Sequence, residues 1–206
     1  MVLGFFRRRC RAFVVFISLF LLFGSGCSPR LNWRILNSEE QFYEALFPDK
    51  PHQAERQIYY QKYQLNEFLE ATRVGDDIYS IATISLVPGL ADEAEQLASY
   101  LLQAVIQNAN IDEKALIRRE SIYRLSGSRA DHFPVSDYFV AFKLHNGDNQ
   151  LMRVRWIIRR GQDGITRIYQ VSMLRSHAEW ITDSSKIFSI LSQEGVELFF
   201  DGFHPS

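Results

Sequence analysis

The residue types able to do chemistry in this chain are its histidines, its cysteines, one hydroxyl pair and three alternating arginines. The histidines are His52, His132, His145, His177 and His204, and none stands at a metal-ligand spacing from another His, Cys or acid. No metal site and no cofactor is therefore predicted. Asp131-His132 pairs an acid with a base as half a hydrolase triad does, but no Gly-x-Ser-x-Gly nominates a nucleophile. Ser126-Gly127-Ser128 reads as a loop. Gly161 and Gly164 flank a turn and open no helix, so they form no phosphate-binding loop. No catalytic residue is assigned, and the chain is read as a non-enzyme. An envelope hydrolase using Asp131 and His132 is the competing reading.

Arg153, Arg155 and Arg159 carry a different chemistry. Aligned on the polar face of one strand, guanidinium groups can hold an anionic lipid headgroup, a glycan acid or the acidic patch of a partner. The plainer account is a solvated sheet face, or a face covered by a helix whose acids pair with it, since exposed strand faces normally alternate in this way.

Cys27 closes the stretch RRRCRAFVVFISLFLLFGSGC. Arg7, Arg8, Arg9 and Arg11 precede an apolar run from Ala12 to Phe23, followed by small residues, which is the pattern of a secretory signal peptide. The run is about a dozen residues, short of the roughly 20 that a spanning helix needs. Gly24-Ser25-Gly26-Cys27 resembles the lipobox of bacterial lipoproteins, departing from it at Gly24, where that family has Leu, Val or Ile. The resemblance implies a diacylglycerol on the Cys27 sulfur and cleavage before it. Ser28 after the cysteine, rather than Asp, implies the outer membrane in the enteric sorting pattern. Cys10 lies inside the leader, so cleavage leaves Cys27 as the one thiol of the exported chain, which lipidation would use.

Cleavage there leaves 180 residues, enough for one domain. The leader holds four of the 23 basic residues and none of the 24 acids, so the remainder carries a net charge of −5. That argues against nonspecific nucleic-acid binding. The organisation expected is a leader over 1–26, a lipidated N-terminus and tether over 27–41, and one domain over 42–206.

The elements that would position these residues follow from periodicity. FYEALFP over 42–48 reads as a strand, followed by the turn DKPH. Residues 57–65 and 68–73 are further strand candidates, although LNEFLEA also fits a helix. Gly75-Asp76-Asp77 marks a turn, and 78–86 reads as a strand with Ile78, Ala82, Ile84 and Leu86 on one face. After Pro88-Gly89, Leu90, Ala94, Leu97, Leu101 and Val105 recur at helical spacing, and the helix should end near Asn108 or Asn110. Residues 116–125 return to extended structure, and SGSRADHFP reads as a polar loop.

Three strands then form a meander over 138–174. In 150–159, Met152, Val154, Trp156 and Ile158 share one face and the arginines the other. A four-residue loop, Gly161 to Gly164, pairs Arg160 with Ile165. It sets Met152 against Met173, Val154 against Val171, Trp156 against Tyr169, Arg153 against Ser172 and Arg155 against Gln170. On the other side, a three-residue turn over 146–148 pairs Val140 with Val154 and Phe142 with Met152. A closing helical region starts near Asp183-Ser184, breaks at Gly195 and places Phe188, Leu191, Leu198 and Phe199 on the same apolar face as Val154. The fold class is α+β, an antiparallel sheet packed with helices.

Cys27-Ser28-Pro29, Asn32-Trp33-Arg34, FYEALFPDKP, RRGQDGITRIYQVSML and ELFFDGF together resemble a group of small proteobacterial lipoproteins, and more distantly the PsbP-like and DcrB-like fold. The resemblance covers most of 27–203 and implies a PsbP-like α/β/α sandwich. Its motifs mark strands and turns, so no catalytic residue is carried over. The function expected is that of a membrane-anchored cell-envelope lipoprotein on the periplasmic side, acting as a binding or assembly accessory. Its partners would be the membrane, through Cys27, and an envelope protein or anionic ligand at Arg153, Arg155 and Arg159, with no nucleic acid.

Overall fold

The computed structural model describes residues 31–124 and 132–206, with Arg124, His132 and Phe133 as backbone only. The leader, Cys27, Ser126 to Ser128 and Asp131 lie outside the described residues. The strands are β1 (Arg34–Ser38), β2 (Tyr43–Phe47), β3 (His52–Tyr60), β4 (Tyr63–Val74) and β5 (Asp77–Ser85), then β6 (Ile117–Arg124), β7 (His132–Lys143), β8 (Asn149–Arg160), β9 (Thr166–His177) and β10 (His204–Pro205). The helices are α1 (Ala94–Asn108), α2 (Ser184–Leu191) and α3 (Glu194–Asp201). This is the α+β class, with a large antiparallel sheet and three helices among the described residues. None of these helices is long and apolar enough to cross a membrane.

The large sheet has seven strands in the order β3-β4-β5-β9-β8-β7-β6, every neighbouring pair antiparallel. A second sheet, β1-β2-β10, has three. Both faces of the large sheet are covered. On one, Leu97 and Ala98 of α1 pack with Ile84 and Ile168, and Ile106 packs with Val140 and Val154. On the other, Ile187 and Leu191 of α2, Phe199 and Phe200 of α3, and Tyr43 and Phe47 of β2 pack with Tyr79, Phe139, Tyr169, Val171 and Met173.

Several expectations are corrected. Residues 34–38, read as tether, are β1, which pairs with β2 from Arg34↔Phe47 to Ser38↔Tyr43. The candidate 57–65 is two strands, because the chain turns at Gln61 (φ 51) and pairs Tyr60 with Tyr63. LNEFLEA is strand, and the polar loop ends sooner than read, since β7 starts at His132. A 3₁₀ turn, Pro88–Glu93, precedes α1. The break in the closing helical region falls at 192–193, ahead of Gly195.

The register corrections decide where the site lies. The β8–β9 loop holds five residues, 161–165, and Arg160 pairs with Thr166. Asp163 Oδ1 accepts the Ile165 N–H at 3.0 Å, Gly161 N donates to the Ile165 carbonyl at 2.9 Å, and Gly164 (φ 78) takes the left-handed position, so Ile165 is drawn into the loop. The strand slips by one residue, and each partner changes face. Arg153 lies opposite Met173, Arg155 opposite Val171 and Trp156 opposite Gln170. Trp156 and Tyr169 are thus on opposite faces. The β7–β8 loop is also five residues, 144–148, against three expected, with Val140 opposite Met152. That slip is even, so the faces stand as read. Finally, α2 and α3 pack on the arginine face, not on the face of Val154.

Candidate functional site

The arginine face of the large sheet is a buried layer with charge in it. Arg153 and Arg155 are 3% and 4% exposed, so the expected surface stripe is a buried one. Their acid comes from β7: Asp137, 5% exposed, sits directly across from Arg155 in the sheet. Arg155 grips it with both prongs, Nε to Oδ1 at 2.6 Å and Nη2 to Oδ2 at 2.8 Å, while Arg153 Nη2 reaches Oδ2 at 2.7 Å. Burial on its own would push the Asp137 carboxyl up, but the Arg155 hydrogen bonds and the charges of both arginines hold it below its ordinary range. Burial likewise opposes the Arg155 charge, and Asp137 more than restores it.

Further donors go to helix ends, while Arg153 Nε is buried without a hydrogen-bond partner among the described residues. The last four carbonyls of a helix have no partner within it and carry the negative end of its dipole. Arg153 Nη1 donates to the Leu191 carbonyl at the end of α2 (3.3 Å), and Arg155 Nη1 to the Phe200 carbonyl in the last turn of α3 (3.1 Å). Arg175 on β9 is held bidentately by Asp77 at 2.7 Å on each prong, and Nη1 turns to the Ile190 carbonyl (3.5 Å) and the Gln193 side chain (3.0 Å). Glu197 of α3 adds a carboxylate 2.9 Å from Arg153 Nη1. The guanidinium of Arg153 also lies 4.1 Å from the Phe200 ring centre. The anionic partner that the arginines recognise is, in large part, the chain's own helices. Arg159 is half-buried near the end of β8, opposite Arg167.

Sequence reasoning missed Asp137, Asp77 and Arg175 as partners. Asp137 had a signal: it is a lone acid in phase with Val135, Phe139 and Ala141 along a strand. The histidines are dispersed. His52 and His145 are exposed, His177 Nδ1 engages the Glu179 backbone, and His204 Nδ1 lies 2.9 Å from the Tyr123 hydroxyl. Burial pushes the Tyr123 hydroxyl well above its ordinary value, so it keeps its proton at neutral pH. Among the described residues no three His, Cys, Asp or Glu converge as a metal-ligand set.

Open space lies on both faces of β6, which among the described residues has a strand neighbour on one side only, β7. A cleft of ≈ 510 Å³ on the arginine face is bordered by Arg153, Arg155 and Asp137 and walled by Tyr123, Phe188 and Glu197, with Arg119 stacked 3.5 Å above the Phe188 ring. A groove of ≈ 520 Å³ on the other face runs between Leu102 of α1 and Tyr138, Trp156 and Arg118. Ile122 of β6 is 65% exposed. No protein-family model matches the chain, and no similar sequence was found among curated proteins.

Proposed function

We propose that this chain is an exported cell-envelope lipoprotein, anchored through lipid on Cys27, whose PsbP-like sandwich works as a non-enzymatic binding or assembly accessory. The observation that carries the reading is where the charged groups are engaged. Arg153, Arg155, Arg175, Asp137 and Asp77 bind one another and the ends of α2 and α3, which is structural work rather than chemistry. Among the described residues β6 is an edge strand with a groove on each face, and it is the edge assigned here to a partner. An extended segment of an envelope protein added beside it would make main-chain hydrogen bonds and set alternate side chains into the two grooves.

Two measurements test this. Mass spectrometry of the native N-terminus should find an acylated Cys27; an intact Met1 or a free Cys27 thiol refutes the anchor. A photo-crosslinking residue at Ile122, in intact cells, should capture a discrete partner that the same residue at Gln57 on β3 does not. Equal capture at both positions, or none at Ile122, refutes docking at β6.

A further inference from the structure

Glu70 stands in the middle of β4 with no exposed surface. It points to the arginine face, yet among the described residues no arginine is paired with it. The row of residues paired across the sheet through Glu70 runs Gln53, Glu70, Ile81, Val171, Arg155, Asp137. Two apolar residues thus separate Glu70 from Arg155, about 14 Å at about 4.8 Å per strand. The titratable side chains in phase with it on the neighbouring strands are Glu55 and Tyr59 on β3 and Asp77 and Tyr79 on β5, with Tyr43 on β2 and Arg34 on β1 in the small sheet; Arg34 Nε lies 3.6 Å from Asp49 Oδ1. Of the nearest cations on β9, Arg175 is held by Asp77 and Arg167 by Asp163.

The partners of Glu70 are neutral and come from both sheets. Gln53 Nε2 of β3 donates to Oε1 at 2.9 Å, and the Tyr43 hydroxyl of β2 donates to Oε2. The Ser38 hydroxyl of β1 also hydrogen-bonds the carboxyl. Ser38 and Tyr43 are themselves a cross-strand pair of the small sheet. One carboxyl therefore joins β1 and β2 to β3 and β4.

We propose that Glu70 is a proton-held latch: protonated, it fastens the small sheet to the large one, and on losing its proton it lets β1 and β2 come away. Three neutral hydrogen-bonding groups satisfy a carboxylic acid once the Ser38 or Tyr43 hydroxyl turns to accept its proton, but they do not repay the burial of a full charge without a counter-ion. Burial raises the Glu70 carboxyl to about 7, and the Ser38 hydrogen bond offsets this only in part. Freed from the sheets, the carboxyl returns to its ordinary 4.5. The closed form binds the proton more tightly, so the latch is fully made below the ordinary value and is lost as pH rises towards 7. Opening of β1 and β2 should rise about tenfold per pH unit across that window and level off above it, several-hundred-fold higher overall.

Native-state hydrogen exchange on the full-length chain tests this, following the amides of β1 and β2 between pH 5 and 8.5 after correction for intrinsic rates. The latch predicts an opening that depends less on denaturant than that of β8 and β9, rises with pH as above, and becomes flat in Glu70→Gln. It is overturned if these amides exchange only by the same denaturant-dependent opening as β8 and β9, or if Glu70→Gln leaves the pH dependence intact. Should Glu70→Gln not fold, a ¹³C-carboxyl titration of the parent decides: a Glu70 midpoint near 7 supports the latch, and one near 4.5 overturns it.

Discussion

Asp137 lies across the sheet from Arg155 and is gripped by it through both carboxylate oxygens, at 2.6 and 2.8 Å. The pair is buried, and it sits between the sheet and the ends of two helices. Its removal is consequently a test of architecture before it is a test of binding.

Asp137→Ala leaves two buried guanidinium groups without their acid and should cost about 3–5 kcal/mol, a large part of the ~5–15 kcal/mol of a typical domain. Arg155→Glu should do at least as much harm by facing Asp137 with a second carboxylate. Urea unfolding monitored by circular dichroism measures both. Loss of a partner in Arg153→Glu/Arg155→Glu would accordingly report unfolding, and Ile122 on β6 is the sounder place to look for binding.

The same pair fixes an acid limb. The Asp137 carboxyl is held below its ordinary range, so its contribution is complete above the unfolded value near 3.8 and is lost as pH falls through the folded one. Glu70 acts with the opposite sign, its contribution being lost as pH rises towards 7. Urea midpoints measured from pH 2 to 5 should fall steeply for the parent, and Asp137→Asn should flatten that fall while lowering the whole curve.

Phe199 is fully buried and makes ring contacts with Phe47 (5.4 Å), Tyr79 (5.2 Å) and Phe200 (5.5 Å), bridging α3 to both sheets. Phe199→Ala should cost about 3–5 kcal/mol. A thermal melt with an unchanged midpoint would show that the aromatic cluster contributes nothing to this packing.

Gln61 occupies the two-residue turn between β3 and β4 at φ 51, a conformation that suits glycine. Gln61→Gly should stabilise the domain by about 0.5–1 kcal/mol, less the exposed hydrogen bond from Gln61 to Glu93. An unchanged or lowered urea midpoint would show that the strain is not there to relieve.

The fold was legible where one face of an element is apolar and its period is clear. Helix α1, strand β5 and the three-strand meander all lie near the residues that periodicity assigned them. The faces of β9 were not legible, because one residue of loop, Ile165, inverts them all, and that residue is placed by the Asp163 side chain rather than by any apolar pattern. The alternation of β8 also misleads. Arginine between apolar residues looks like a wet face, but here it marks a second buried face whose charges are matched by Asp137, Glu197 and helix carbonyls. Nothing local to Arg153 or Arg155 announces partners that lie 16 to 45 positions away along the chain. Glu70 was invisible for a related reason: a glutamate in LNEFLEA reads as solvated until both sheets are in place around it.

The pairing of β10 with β2 has a consequence for how the chain matures. His204 and Glu44 are partners 160 positions apart, and Ser206 N donates to the Phe42 carbonyl at 2.9 Å. A contact of such span forms slowly, because a long loop must close before it is rewarded. β1 and β2 emerge first from the ribosome or a translocation channel, yet the small sheet cannot be completed until residue 205 follows. During that interval Tyr43, Ala45 and Phe47 are uncovered, so a chain emerging from amino to carboxyl end passes through a stage in which β1 and β2 are made but unprotected, and residues 204–206 end that stage.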